Sequence, residues 1–348
     1  MEKYIEFLLR EACPSIRYRI KKEITNQLSS NEKIQLQKEI LEDSLVKRYV
    51  SLQESNGWIN YDFHSEKGVE TAVRVLCEKG IESNHLSISN MLKQLEEREE
   101  TFDQGCLSNV GKILDQLNLG GSQLIKAVIF GYAGVEDKTF ITEQIEEALN
   151  VFKYVINVSS IESITENYKG KLVFKSKAKW PSIYHLRLLA YTKSWRNIEN
   201  INMIIDSIKR LIKLSPIPEI KGLYKSQVVS PGSFCMHDFN ADMKRLDAKG
   251  WMMWFHRMEL LARIGVIKSI PHLNLQLDYL KNMINEQNNI FHKKQSHYYF
   301  KKWGTYTGLV LEKDWRTKNR YLCDLIFRSI IIMYYSEKYV NKEVKYDL

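Results

Sequence analysis

Proline and glycine are scarce in this chain, six and sixteen in 348 residues, and nearly all fall between apolar runs. With strict apolar and polar alternation also rare, a sandwich or barrel is excluded and an all-α chain is left. Cysteine is scarce too. The five (Cys13, Cys77, Cys106, Cys235, Cys323) are scattered and never spaced Cys-x-x-Cys, which excludes a disulfide framework and a zinc knuckle. Cys77 and Cys323 lie among apolar neighbours and are expected to be small core residues. The longest apolar runs, such as Ser329 to Tyr335, fall far short of the roughly 20 residues of a membrane span. Charges interrupt the opening Met1 to Arg10 stretch and no small-residue cleavage site follows, so it reads as an amphipathic helix and a cytoplasmic protein is expected. Gly-rich phosphate loops, Gly-x-Ser-x-Gly, His-Glu-x-x-His and EF-hand patterns are missing, and the chemistries they serve gain no support.

What is present is a globular composition, 44% apolar and 27% charged, in which disorder is not expected. A net charge of +9 suits nucleic acid, an acidic membrane surface or a phosphorylated ligand without selecting one. A local pattern recurs: a Gly- or Trp-marked turn followed by a helical apolar stripe. It appears at Gly57-Trp58, at Gly105-Cys106 before Leu107, Val110, Ile113 and Leu117, and at Trp180-Pro181 before Tyr184, Leu186, Leu188 and Leu189, with similar stops at Gly250-Trp251 and Trp303-Gly304. Helix-loop units of this kind bury their apolar faces by stacking on one another.

Apolar periodicity predicts three helices within residues 1 to 53 and a loop over 54 to 66. Helices follow over 69–77 and 88–95, the second capped by Ser83 or Asn84, then over 107–117, 124–130, 141–155, 184–191, 198–214, 251–264, 273–284 and 321–335. Residues 156 to 179 read as polar and irregular, with an extended piece at 171–175. Long loops are expected at 222–247 and 291–317, lengths that usually carry function or cover something.

Phe7 to Arg19, the Gln53 to Trp58 turn, Cys106 to Leu114 and Lys179 to Leu189 together resemble bacterial proteins with prenyltransferase and squalene-cyclase-type (terpenoid cyclase-like) repeats. The resemblance implies an α/α toroid of repeated helical hairpins, a single domain over 1–348 with residues 1–53 as a helical section packed on it. An apolar, isoprenoid-type ligand in a central cavity is the function implied. The chain departs from the catalytic members: it has neither the Asp-x-Asp-Asp acid of class II cyclases nor the Asp-Asp-x-x-Asp that holds magnesium and diphosphate. Protein prenyltransferases of the same fold hold zinc through Asp, Cys and His. Cys235, His237, Asp238 and Asp242 are the matching residue types here, with Asp238 or Asn240 as caps of the following helix the competing account.

Other candidates each have a structural counterpart. His185 and Arg187 after Trp180, and His256 and Arg257 after Trp251, could bind a carboxylate or phosphate, or His256 could move a proton with Glu259; they could equally bond neighbouring loops. Trp180, Tyr184, Trp251, Trp254 and Trp303, with Phe255, Tyr306 and Trp315, could line an apolar cavity, or could be core. Phe291 to Tyr306 interleaves Lys293, Lys294, Lys301 and Lys302 with Tyr298, Tyr299, Phe300 and Trp303, a mix able to stack bases and pair phosphates or to pack as a loop with solvated lysines. A non-enzymatic helical-repeat scaffold binding protein or nucleic acid through these loops is therefore the alternative function. The sequence names no cofactor and leaves oligomeric state and catalysis open.

Overall fold

The computed structural model describes residues 1–98, 105, 107–285 and 297–339. It is mostly helical, 60% helix against 5% strand, with sixteen helices among the described residues. None of them is long and apolar enough to cross a membrane. Internal contacts fall into two units: residues 1–101, 247–255 and 280–334 form unit 1, and 102–246, 256–279 and 335–348 form unit 2.

Unit 1 opens with α1 (Glu2–Glu11) and α2 (Pro14–Arg19), the second starting on proline at its first turn, where the missing N–H costs nothing. A π-helical turn, Ile20–Thr25, ends at Asn26 in the left-handed conformation. The expected single third helix is two, α3 (Ser30–Leu41) and α4 (Ser44–Ser51). Asp43 divides them because its carboxylate accepts the Leu45 and Val46 N–H groups as the cap of α4. Helix α5 (Val69–Lys79) stops at Gly80, φ +94°, where a side chain would also strike Tyr18. Helix α6 (Leu86–Glu97) is capped by His85, whose ring accepts the Ser87 N–H, rather than by Ser83 or Asn84.

In unit 2, α7 (Leu107–Gln116), α8 (Ser122–Tyr132) and α9 (Thr139–Ile156) precede the single turn α10 (Ile161–Ile164). The extended piece expected at 171–175 is β2 (Lys171–Phe174), paired antiparallel with β1 (Thr165–Tyr168) in a stretch otherwise expected to be irregular. Helices α11 (Ile183–Tyr191) and α12 (Ile198–Leu214) follow, then a second hairpin, β3 (Gly222–Tyr224) with β4 (Gln227–Val229), inside the expected loop. The strands β1, β3 and β4 are too short for periodicity to register. Helix α8 packs on α11 and α9 on α12. The α11 residues Ile183 to Ala190 are all buried and α8 is nearly so, whereas α9 and α12 each keep one face in solvent. Alternate helices are thus core and cover.

Helix α13 (Ala248–Ile264) runs from unit 1 into unit 2, and α14 (Pro271–Asn285), α15 (Tyr298–Lys301) and α16 (Lys318–Lys338) complete the chain. Gly250-Trp251 is no stop: it lies inside α13, whose start is fixed by Asp247 Oδ1 accepting the Gly250 N–H at 2.7 Å. Asp247 therefore has the capping role expected of Asp238 or Asn240. Cys323 is buried, as expected of a core residue, while Cys77 is half-buried; Cys106 lies outside the described residues.

Candidate functional site

Of the polar residues singled out in the sequence, His185, Arg187, His256, Arg257 and Glu259 are buried, and two of them meet. Arg187 Nη2 lies 3.2 Å from His256 Nε2, so α11 and α13 do bring an Arg and a His together. The Tyr184 ring lies 5.2 Å from the Arg187 guanidinium and Phe234 sets its edge on His256. Arg257 donates Nη1–H to the Cys235 carbonyl at 2.8 Å and lies over Phe239; burial lowers its pKa. His185 is drawn into a capping box, its Nδ1 2.9 Å from both the Ser182 N–H and Oγ. Complete burial pushes its pKa down to about 3, so the imidazole stays neutral as a cap. Glu259 forms a buried pair with Arg263 at 3.0 Å, and that guanidinium is covered by Tyr191 and Tyr335.

Of the residues matched to zinc ligands, His237, Asp238 and Asp242 have side chains engaged separately. Cys235 gives its carbonyl to Arg257. His237 Nδ1 is 3.2 Å from the Ile217 carbonyl oxygen. Asp238 and Asp242 close local turns by accepting the Asn240 and Lys244 N–H groups. Among the described residues no three His, Cys, Asp or Glu side chains gather as a metal set would.

The aromatics pack against one another. In unit 1, Trp251, Trp254 and Phe255 have ring centroids 5.2–5.9 Å apart, and Phe255 continues through Phe300 to Trp315. Trp303 donates Nε1–H to the Val310 carbonyl and has the Arg74 guanidinium on its face. In unit 2, Trp180 is buried against Phe174. Of the basic and aromatic segment, Phe291, Lys293 and Lys294 lie outside the described residues. Lys302 pairs with Glu66 at 3.5 Å, Lys301 lies near the Trp315 ring, and Phe300 is buried while Tyr298 is exposed.

A cleft of about 600 Å³ opens in unit 2, walled in part by the start of the long loop expected at 222–247. Its wall combines the end of α7 and the following turn (Gln116 to Leu119), Glu166 of β1, the stretch from Phe174 to Lys179, and the tip of the β3–β4 hairpin (Gly222 to Lys225). The hairpins are joined through Lys221, which exchanges backbone hydrogen bonds with Leu172 and Phe174. Gly222 permits close approach: a β-carbon there would come within 3.0 Å of Leu117 and Leu119.

Four lysines, Lys175, Lys177, Lys179 and Lys225, line this cleft beside a single carboxylate among the described residues, Glu166. Lys179 pairs with Glu147 at 2.9 Å, and Lys175 donates to the Glu162 and Ser163 carbonyls. Lys225 lies over the Tyr224 ring. Leu117, Leu119, Phe174, Ala178 and Leu223 supply apolar surface. Six described non-glycine residues have positive φ, and three of them, Asn118 (54°), Lys177 (65°) and Lys225 (56°), line the cleft. Left-handed backbone at a residue with a Cβ costs about 1–3 kcal/mol and gathers at functional sites.

Behind the cleft, α7 and α8 are locked together. Asp115 accepts the Ser122 N–H at 3.1 Å, and a side chain on Gly111 or Gly121 would collide across the contact. Burial raises the Asp115 carboxyl to about 6 despite bonds from the Gln123, Ser122 and Gly121 N–H groups that oppose the shift. The cleft's left-handed residues could have been suspected only at Asn118, since lysine gives no signal for that backbone region.

No protein-family model, curated protein or solved structure matches this chain. The site's own geometry therefore carries the functional reading.

Proposed function

We propose that this chain is a helical-repeat binding protein whose ligand is a small amphipathic anion held in the unit 2 cleft. The observation that carries the reading is the cleft wall itself: four lysines and one carboxylate set beside leucine and phenylalanine surface in a volume of about 600 Å³. Ligand pockets occupy roughly 300–1,000 Å³ and pair apolar area with a few fixed polar groups. A concave surface of one charge sign concentrates counter-ions. The left-handed backbone at Lys177 and Lys225 adds support, because strain of this kind gathers at functional sites.

The alternation of buried helices α8 and α11 with half-exposed α9 and α12 supports an α/α repeat, and the toroid suggested by the sequence resemblance is the architecture we propose for it. Within that reading an isoprenoid diphosphate is the ligand class that meets both halves of the wall, its diphosphate facing the lysines and its chain facing Leu117, Phe174 and Leu223. The function is one of binding: His185 serves as a helix cap and Glu259 is paired with Arg263.

Calorimetric titration with farnesyl diphosphate, farnesol, inorganic pyrophosphate and a single-stranded oligonucleotide tests this. The diphosphate ester is expected to bind more tightly than either of its parts, and Lys175→Ala with Lys225→Asn to weaken it by about tenfold, the scale of one lost charge-assisted contact. Tight binding of farnesol unaffected by the lysine changes would replace the reading with an apolar cavity. Binding of the oligonucleotide alone would favour the scaffold.

A further inference from the structure

Unit 1 buries two carboxyl groups side by side that the proposed ligand site does not use. Asp324, in α16, accepts the Leu311 N–H at 2.6 Å and the Glu312 N–H at 3.2 Å through Oδ1, and the Trp315 indole N–H at 2.7 Å through Oδ2. Glu312, the residue so held, turns its carboxyl to the N-terminal segment, where Oε1 accepts the Cys13 backbone N–H at 2.7 Å. Cys13 Sγ lies 3.4 Å from the Leu311 carbonyl and donates to it. Cys13 joins α1 to α2, so the turn between these helices is fastened to residues 311–312.

The charges facing this contact are few. Lys79 of α5 is the cation that acts on Glu312, and its ammonium is divided between the Leu311 carbonyl at 2.6 Å and Asp43 of α4 at 2.8 Å. Arg328, one turn beyond Asp324, donates to the Leu309 carbonyl and to Glu78, which also pairs with Arg19. Burial holds the thiols of Cys13 and Cys323 protonated, the latter up to about 12. Glu11 bonds Arg10 and Asn319. When Glu312 and Asp324 both ionise, two adjacent negative charges face Lys79, which already serves Asp43, and Arg328, which is already bonded to Glu78 and the Leu309 carbonyl.

We propose that Glu312 and Asp324 form a pH-sensitive latch, gripping the α1–α2 turn when neutral and loosening it when both are charged. A neutral carboxyl still accepts the Cys13 N–H through its carbonyl oxygen, so the grip survives protonation while the repulsion does not. The same geometry raises both groups: burial first, then the partner's charge, takes Glu312 up to about 7, and burial takes Asp324 up to about 6. Folded values above the ordinary 4.5 and 3.8 mean the contribution is complete below those values and is lost as pH rises through the raised ones, from mild acid to neutrality.

Amide hydrogen exchange of the full chain, corrected for intrinsic rates and followed over residues 1–19, tests the latch. Protection in the wild type is expected to be about tenfold lower at pH 8 than at pH 5.5, the effect of one pKa unit of coupling. In Glu312→Gln it should be independent of pH. Glu312→Asp keeps an ionisable group but withdraws it from Cys13, and should leave the segment weakly protected at both pH values. Exchange over residues 69–79 reports whether each variant is folded. Equal wild-type protection at the two pH values overturns the proposal, as does wild-type pH dependence persisting in Glu312→Gln.

Discussion

Both units bury charges that hold the fold, and unit 2 adds to them a cleft lined by lysines. In unit 1 the buried charges meet in one network. Glu78 lies between Arg19 at 2.7 Å and Arg328 at 3.1 Å, and both guanidiniums lie over the Phe327 ring. Arg74 is buried likewise and holds the carbonyls of Gly304, Thr307 and Gly308. Unit 2 buries Arg187, Arg257 and the Glu259–Arg263 pair likewise, but it also gathers lysines at an open cleft on backbone that is locally strained. A buried charge must be matched almost completely or the fold is lost, whereas a charge left in water stays available to a partner. The contrast teaches that Arg and Lys counts alone do not locate a binding surface; burial sorts the structural cations from those that face solvent.

The sharpest way to break this comparison is to remove one matched charge. Glu78→Ala leaves two buried guanidiniums facing each other and is expected to cost about 3–5 kcal/mol in urea unfolding; Lys175→Ala, on the surface, should stay within about 0.5 kcal/mol. A small loss at Glu78 would mean that the buried network is not what orders unit 1.

Trp254→Ala is next in size, with an expected loss of about 3–5 kcal/mol for a fully buried ring among Trp251 and Phe255. Unchanged stability with lost ligand affinity would return Trp254 to a cavity-lining role.

Lys177→Gly sharpens the contrast in the other direction. Glycine accepts φ +65° without a Cβ clash, so the melting temperature should rise by an amount equivalent to about 1 kcal/mol while anion affinity falls severalfold. A variant that is no more stable than the wild type would remove backbone strain from the case for the cleft.

The smallest expected effect is on pH dependence. Asp115, raised to about 6 from 3.8, contributes stability that is complete at or below the lower value and declines as pH climbs through the higher one. Asp115→Asn should flatten that decline in thermal melts between pH 4 and 7, and an unaltered profile would show that its bonds to the start of α8 do not titrate.

Much of the helical framework was legible in the sequence. Helix α12 begins and ends where its apolar spacing says, and α11, α13 and α16 differ from expectation by only a few residues at their ends. The misses share a cause. Asp43, His85 and Asp247 cap helices through side-chain bonds to particular N–H groups, and several Asp, Asn and Ser residues near each boundary could have done the same. Of the two hairpins only β2 was anticipated, as the extended piece at 171–175; β1, β3 and β4 escaped because strands of three or four residues give periodicity nothing to repeat.

At the site, residue types were easier to read than their roles. Arg187 and His256 do meet, but His185, Cys235, His237, Asp238, Trp251, Trp254 and Trp303 are committed to caps, turns or packing. The cleft lysines carried a signal that went unread: Lys175, Lys177 and Lys179 belong to a run of five lysines and no acidic residue over 169–179, whereas Lys225 joins them from a separate loop.

The amino-acid sequence by itself determined that this is a mostly helical chain, because the 3.6-residue period and the placement of Gly and Pro are local properties. Tertiary structure alone decided which charges are buried and which line a cleft, since that depends on hairpins and helix ends brought together from distant positions, where solvation rather than residue identity sets what a charged group can do.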